Sequence, residues 1–163
     1  MRVGHGYDLH RLEPHPPAGR GKPCVIGGIL IENPTGPIAH SDGDVLLHAV
    51  TDSILGALSM PDIGQLFPDN DARHENADSA IFLREAARRM REAGWEIGNI
   101  DCTVICEQPK IGPCKAEIAA NIARLLDCAI TLVNVKGKTH ERVDAVGEGR
   151  AIEVHVTTLL KPR

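Results

Sequence analysis

The sequence predicts an α+β (α/β-like) fold, with a single mixed β-sheet covered on one face by helices. Three observations predict it. Alternating apolar and polar residues at 2–12 and 150–160 read as long strands near both ends of the chain. Apolar stripes at helical spacing occupy three stretches between them. Strands gather early and then mix with helices, which suits one sheet with helices laid against it and leaves the other face to meet partner subunits. A chain of 163 residues, 42% hydrophobic, has the size and composition of one compact domain over 1–163. Aromatics are only 2%, so the core has to be built from Val, Ile, Leu and Ala.

The elements follow in order. Residues 2–12 form the first strand, and the Pro- and Gly-rich stretch 13–23 a loop. Residues 24–31, with Gly27-Gly28 in the middle, read as a short hairpin. Ser41-Asp42-Gly43-Asp44 opens a helix from about Asp44 to Leu58, with Ser41 and the acid three residues on resembling a capping box. An acidic, aperiodic loop runs from Ser59 to Ala77, and loops of that length in a small domain are usually functional or disordered. Asp78-Ser79 caps a second helix that Gly94 stops. Residues 95–106 form a strand with Ile100, Cys102, Val104 and Cys106 on one face. Pro113 starts a third helix with an apolar stripe at Ile118, Ile122, Leu125 and Leu126. Strands at 131–138 and 150–160 complete the chain.

Composition excludes several classes. The formal charge is −4, and the cluster Arg84, Arg88, Arg89 and Arg91 reads as the solvated face of one helix, so no nucleic-acid partner is expected. No apolar run reaches membrane-spanning length, and Met1-Arg2-Val3-Gly4 does not open a signal peptide. The five cysteines form no CxxC pair, so they read as buried thiols in a reducing cytoplasm. Metal ligands are therefore to be sought among His and Asp.

Asp8 and His10 share one face of the first strand, and Gly4 and Gly6 leave room beside them. A carboxylate and an imidazole side by side make two-thirds of a zinc site. The first long helix is apolar except for a stripe at Asp44, His48, Thr51 and Asp52. A buried polar stripe has to be satisfied. His48 bound to a metal, its ring oriented by the flanking carboxylates, would satisfy it. Asp8, His10 and His48 with one open position match a catalytic zinc site. The same spacing also suits a surface pair and a plain helix cap, and spacing alone does not choose.

Gly137-Lys138-Thr139 resembles the end of a P-loop, but Leu132 stands where that motif needs its first Gly. Lys138, Thr139 and Glu141 at a strand end could hold a phosphate and a second divalent ion, or could simply be solvated. Pro109-Lys110-Ile111-Gly112-Pro113 could read a base edge or bind an anion, or could be an ordinary strand–helix connection. Gly147-Glu148-Gly149 reads as a turn.

Several segments together closely resemble the 2-C-methyl-D-erythritol 2,4-cyclodiphosphate synthase family. They are Arg2-Val3-Gly4-His5-Gly6-Tyr7-Asp8-Leu9-His10, Ile26-Gly27-Gly28, Ala39-His40-Ser41-Asp42-Gly43-Asp44-Val45-Leu46-Leu47-His48-Ala49, Asp62-Ile63-Gly64-Gln65-Leu66-Phe67-Pro68-Asp69 and Asn134-Val135-Lys136. The resemblance implies an enzyme, a phosphorus–oxygen lyase of the non-mevalonate isoprenoid route. Its CDP-linked substrate would be cyclised by attack of the 2-phosphate on the β-phosphate, releasing CMP. It implies zinc on Asp8, His10 and His48, and magnesium or manganese on Glu141. His40 and Ser41 would lie against the substrate phosphates, Thr139 would contact the diphosphate, and Asp62 and Gly64 would hold the ribose. Ile63, Phe67, Asp69 and Phe82 would line the methylerythritol pocket, and Cys106, Lys110, Ile111 and Gly112 would hold cytosine. It further implies a homotrimer with sheet faces packed together and active sites between subunits. Two departures stand out. Lys138-Thr139 replaces a usual pair of threonines, with Lys138 able to add positive charge near the diphosphate. The stretch Arg142–Gly149 is short and lacks a Phe and an Arg that in relatives line a central trimer cavity, so an isoprenoid diphosphate is not expected there in the usual way. A zinc-dependent phosphoesterase and a non-catalytic trimeric metal- or ligand-binding protein are the alternatives.

Overall fold

The computed structural model describes residues 1–68 and 74–163. Five strands form one mixed sheet: β1 (Arg2–Pro14), β4 (Thr35–Pro37), β5 (Trp95–Ile105), β6 (Val133–Lys138) and β7 (Ala151–Pro162), in the order β4-β1-β7-β5-β6. Only the β5–β6 pair is parallel. β2 (Val25–Ile26) and β3 (Ile29–Leu30) make a separate hairpin. Its turn residues Gly27 and Gly28 have φ of +63° and +77°, a backbone that side chains rarely adopt. The helices are α1 (Val45–Ala57), α2 (Ile63–Leu66), α3 (Ala80–Glu92), α4 (Lys115–Leu126) and α5 (Asp144–Gly147).

Strand alternation sorts the sheet into two faces. On the covered face Ile100, Cys102, Val104, Val154 and Val156 are wholly buried against α1, α3 and α4. α1 buries Leu46, Leu47, Val50 and Ile54 completely. Each such side chain contributes about 1.5–3 kcal/mol by leaving water, so α1 is held by its packing. On the other face Val3, Tyr7 and Leu9 of β1 remain exposed.

The expected room beside Gly4 and Gly6 is filled by the backbone of α1. A Cβ on Gly6 would lie 1.8 Å from the Ala49 carbonyl oxygen, and one on Gly4 would lie 1.9 Å from that of Ser53. The two glycines therefore let helix and strand approach closely, and this sets where His48 ends up.

Boundaries differ at several places. β1 continues through Glu13 and Pro14, because those residues pair with Gly36 and Thr35 of the unanticipated edge strand β4. The long loop contains α2, capped by Asp62, whose side chain accepts from the Gln65 amide at 2.9 Å. The cap of α1 is Asp44, which accepts from the Leu46 and Leu47 amides; the Ser41 hydroxyl instead accepts from the Gly43 amide. Pro113 lies in a 3₁₀ turn just before α4. The expected turn at 147–149 is preceded by one helical turn, α5.

Candidate metal centre and active site

Asp8 and His10 project from the covered face of β1, and α1 carries His48 to them. His10 Nε2 and His48 Nδ1 each lie 3.0 Å from the same Asp8 oxygen, Oδ2. The two ring nitrogens are 3.3 Å apart. Burial alone would raise the pKa of Asp8, but hydrogen bonds and charge from His10 and His48 hold its carboxyl well below the usual carboxylate range. Burial disfavours the His48 imidazolium, yet the Asp8 hydrogen bond and the charges of Asp8, Asp44 and Asp42 push its pKa up.

These donors fit a metal. One carboxylate oxygen and two imidazole nitrogens lie within 4.8 Å of one another. Their pairwise separations of 3.0–3.3 Å approach the roughly 3.3 Å edge of a tetrahedron whose bonds are about 2.0–2.1 Å. All three line a cavity of about 350 Å³, so an ion held there would present an open position to a ligand.

The orientation of His48 has a different origin from the one expected. Its Nε2 lies 2.8 Å from the Ser79 hydroxyl and 3.2 Å from that of Ser41. The carboxylates of the helical stripe are used elsewhere. Asp44 is fully buried and accepts from the amides of Gly27, Gly28, Leu46 and Leu47, joining the β2–β3 turn to the start of α1. Burial pushes the Asp44 carboxyl up to about 6. Thr51 donates back to the Leu47 carbonyl. Asp52 accepts from the Ile63 amide at 2.8 Å and so ties α2 to α1.

The cavity is also lined by Ile38, Ala39, His40, Ser41, Asp52, Ile63, Gly64, Phe67, His74 and Phe82. Both phenylalanines of the chain are placed here, with ring centroids 4.6 Å apart, which gives one wall an apolar surface for carbon. Asp62 sits beside this wall as the cap of α2, and Asp69 lies outside the described residues.

A second group is gathered apart from the cavity, where β5 and β6 end. The Cys106 amide donates to the Lys138 carbonyl at 3.0 Å, and its thiol, pushed up to about 12 by burial, donates to the Pro109 carbonyl. Ile111 is buried against Gly137. Lys110 and Gly112 flank it, and the Thr139 hydroxyl donates to Glu141 at 2.7 Å. Glu141 has φ of +50°. β7 and β5 lie between β1 and β6, so within one chain this group does not meet Asp8, His10 and His48.

Sequence reasoning missed three supports: Asp42, Ser79 and Lys22. The Lys22 ammonium donates to the His40 carbonyl at 3.1 Å and, in a short bond, to that of Ser41. It thereby fixes the backbone of one cavity wall. Asp42 was visible within the segment that opens the first long helix and Ser79 as a cap of the second, but a contact across 37 positions leaves no periodic signal.

A mixed sheet backed by helices, with an Asp–His–His donor set facing an apolar-walled cavity, defines a class of small α+β proteins equipped to hold a metal ion beside a ligand. The chain belongs to the YgbB family, whose pattern it matches over residues 1–161. It is 56% identical over 160 residues to a chloroplastic 2-C-methyl-D-erythritol 2,4-cyclodiphosphate synthase of Oryza sativa, covering 98% of this chain and 69% of that one. It is similar to the solved IspF of Plasmodium falciparum in complex with CDP, with a TM-score of 0.86, 41% identity, and coverage of 99% of this chain and 96% of that one. The bifunctional IspDF of Campylobacter jejuni gives a TM-score of 0.92 at 37% identity; the match covers 99% of this chain but 42% of that longer one. Among the described residues no helix is long and apolar enough to cross a membrane.

Proposed function

We propose that the chain cyclises 4-diphosphocytidyl-2-C-methyl-D-erythritol 2-phosphate to 2-C-methyl-D-erythritol 2,4-cyclodiphosphate and releases CMP. The observation that carries this is the convergence of Asp8, His10 and His48 on one point at a cavity with an apolar wall, in a chain more than half identical to a synthase named for that product. Zinc fits the donor set, and when bound it supplies positive charge to a phosphate oxygen. Asp8, His10 and His48 would hold it. His40 and Ser41 would lie along the phosphates, with Lys22 steadying their backbone. Ile63, Phe67 and Phe82 would exclude water around the methylerythritol carbons, and Asp62 and Gly64 would face the ribose.

The chemistry asks mainly for charge and alignment. The attacking 2-phosphate oxygen is already ionised near neutral pH, so no general base has to be found. Two anions must be brought together, and orientation supplies much of the rate. The second group fits the remaining needs: Cys106, Lys110, Ile111 and Gly112 for cytosine, Lys138 and Thr139 for the diphosphate, and Glu141 for magnesium or manganese. Because this group stands apart from the zinc side within one chain, it would come from a neighbouring copy. A homotrimer closing on the exposed face of Val3, Tyr7 and Leu9 would supply it. Five free cysteines support a reducing compartment such as the cytoplasm.

Incubation with the CDP-linked substrate, zinc and magnesium tests the proposal. Cyclic diphosphate and CMP in equal amounts are expected. A linear phosphorylated product would point to a phosphoesterase instead, and zinc binding without CMP to a carrier.

A further inference from the structure

His48 is gripped at both nitrogens. Nδ1 faces Asp8 and His10, while Nε2 lies 2.8 Å from the hydroxyl of Ser79, a side chain with no solvent exposure. The Ser79 hydroxyl has a second partner, the Asp42 carboxylate, in a short bond. A carboxylate has no proton to give, so the hydroxyl proton points at Asp42. The oxygen then faces His48 with its lone pairs and can only accept, so it receives the proton of Nε2, the nitrogen that carries one when Nδ1 binds a metal. Asp42 is itself fixed, accepting from the amides of Asp44 and Ser79 at 3.1 Å each. It thereby joins the start of α1 to the start of α3. Ser41 Oγ, at 3.2 Å, is the longer contact and already receives the Gly43 amide.

We infer that Ser79 and Asp42 form a positioning pair that holds the Nε2–H of His48 and so presents Nδ1 to the ion. Neither residue touches the ion or the reacting atoms. Fixing the ring orientation aims Nδ1 at the ion, and partners of this kind typically change metal affinity by about 10–100-fold. The inference rests on the zinc reading above, but its test does not use turnover.

The experiment compares wild type, Ser79→Ala and Ser79→Thr by competition titration with zinc and by ¹⁵N NMR of the histidine-labelled protein. In wild type, the zinc-loaded His48 should show a protonated Nε2 and a metal-bound Nδ1. Ser79→Ala should bind zinc roughly 10-fold or more weakly and, in the zinc-loaded protein, lose the protection of the His48 Nε2 proton from solvent exchange. Ser79→Thr, which keeps the hydroxyl, should restore both signatures to near wild type. Ser79→Ala with unchanged affinity, or with weaker affinity and an unchanged Nε2 proton exchange, would overturn the inference. So would a loss in Ser79→Thr as deep as in Ser79→Ala, because that assigns the effect to packing. If wild type itself took up no zinc, the zinc reading would fail first.

Discussion

Replacing Gly6 by Ala should separate the two elements that build the metal centre. The new Cβ would stand 1.8 Å from the Ala49 carbonyl oxygen and 2.8 Å from the Ser53 amide nitrogen. Both are backbone atoms of α1, so no side chain can rotate away. Restoring ordinary contact requires α1 to retreat by roughly 1.5 Å. Zinc sites tolerate about 0.2 Å in their bond lengths, so His48 would leave the ligand set. Overpacking of this kind costs about 1–3 kcal/mol, and the backbone clash places Gly6→Ala near the upper end. Zinc affinity should fall by roughly 100-fold or more. Gly56→Ala is the matched control. It lies in α1, and its Cβ would meet only the His5 carbonyl at 3.8 Å. Gly56→Ala should stabilise the helix by about 0.5–1 kcal/mol and leave zinc binding unchanged. Urea denaturation and zinc titration measure both variants. Gly6→Ala with wild-type stability and wild-type affinity would refute the claim that helix–strand contact sets the site.

Three further outcomes are expected. His48→Ala should lose both zinc binding and CMP release, measured on the same sample; retention of either places the ion elsewhere. Glu141→Gln should leave zinc binding intact and shift the magnesium dependence of CMP release, whereas an unchanged dependence removes Glu141 from that role. His15 carries the pH prediction. Its two ring nitrogens lie 2.9 and 2.8 Å from the Gly21 and Asn33 carbonyls, so both must donate, and those bonds push its pKa up. A raised pKa gives stability that is present below the unfolded value of about 6.5 and lost as pH rises through the folded value. The denaturation midpoint of His15→Ala should therefore trail wild type at pH 6 and approach it at pH 9; a gap that is constant with pH contradicts a protonated His15.

How much was legible in the sequence follows from the range of each interaction. β1 and α1 were readable because alternation and a continuous apolar stretch are local patterns. Even there, the glycines at 4 and 6 were taken for open space, since the depth of helix–strand approach is a property of the packed pair. The segment from Asp62 to Gln65 carried a capping signal, an acid followed three residues later by an amide, and the Gln65 side chain does return to Asp62 at 3.1 Å. A single helical turn is too short for periodicity to reveal. β4 was missed for the same reason, as three residues at a sheet edge show no alternation. Within the site, the ligand residues were visible by type and spacing. Their supports were not. Asp44 and Asp52 look like ring-orienting acids on a helical wheel, but backbone amides from the β2–β3 turn and from α2 claim them first.

X-ray absorption on the zinc-loaded protein addresses the central claim most directly, because it counts the atoms around the ion. Two imidazole nitrogens and carboxylate oxygen at about 2.0–2.1 Å are expected, with the imidazole signal reduced in His48→Ala. A sulfur shell near 2.3 Å, or a first shell of water oxygens without imidazole, would contradict a centre built from Asp8, His10 and His48.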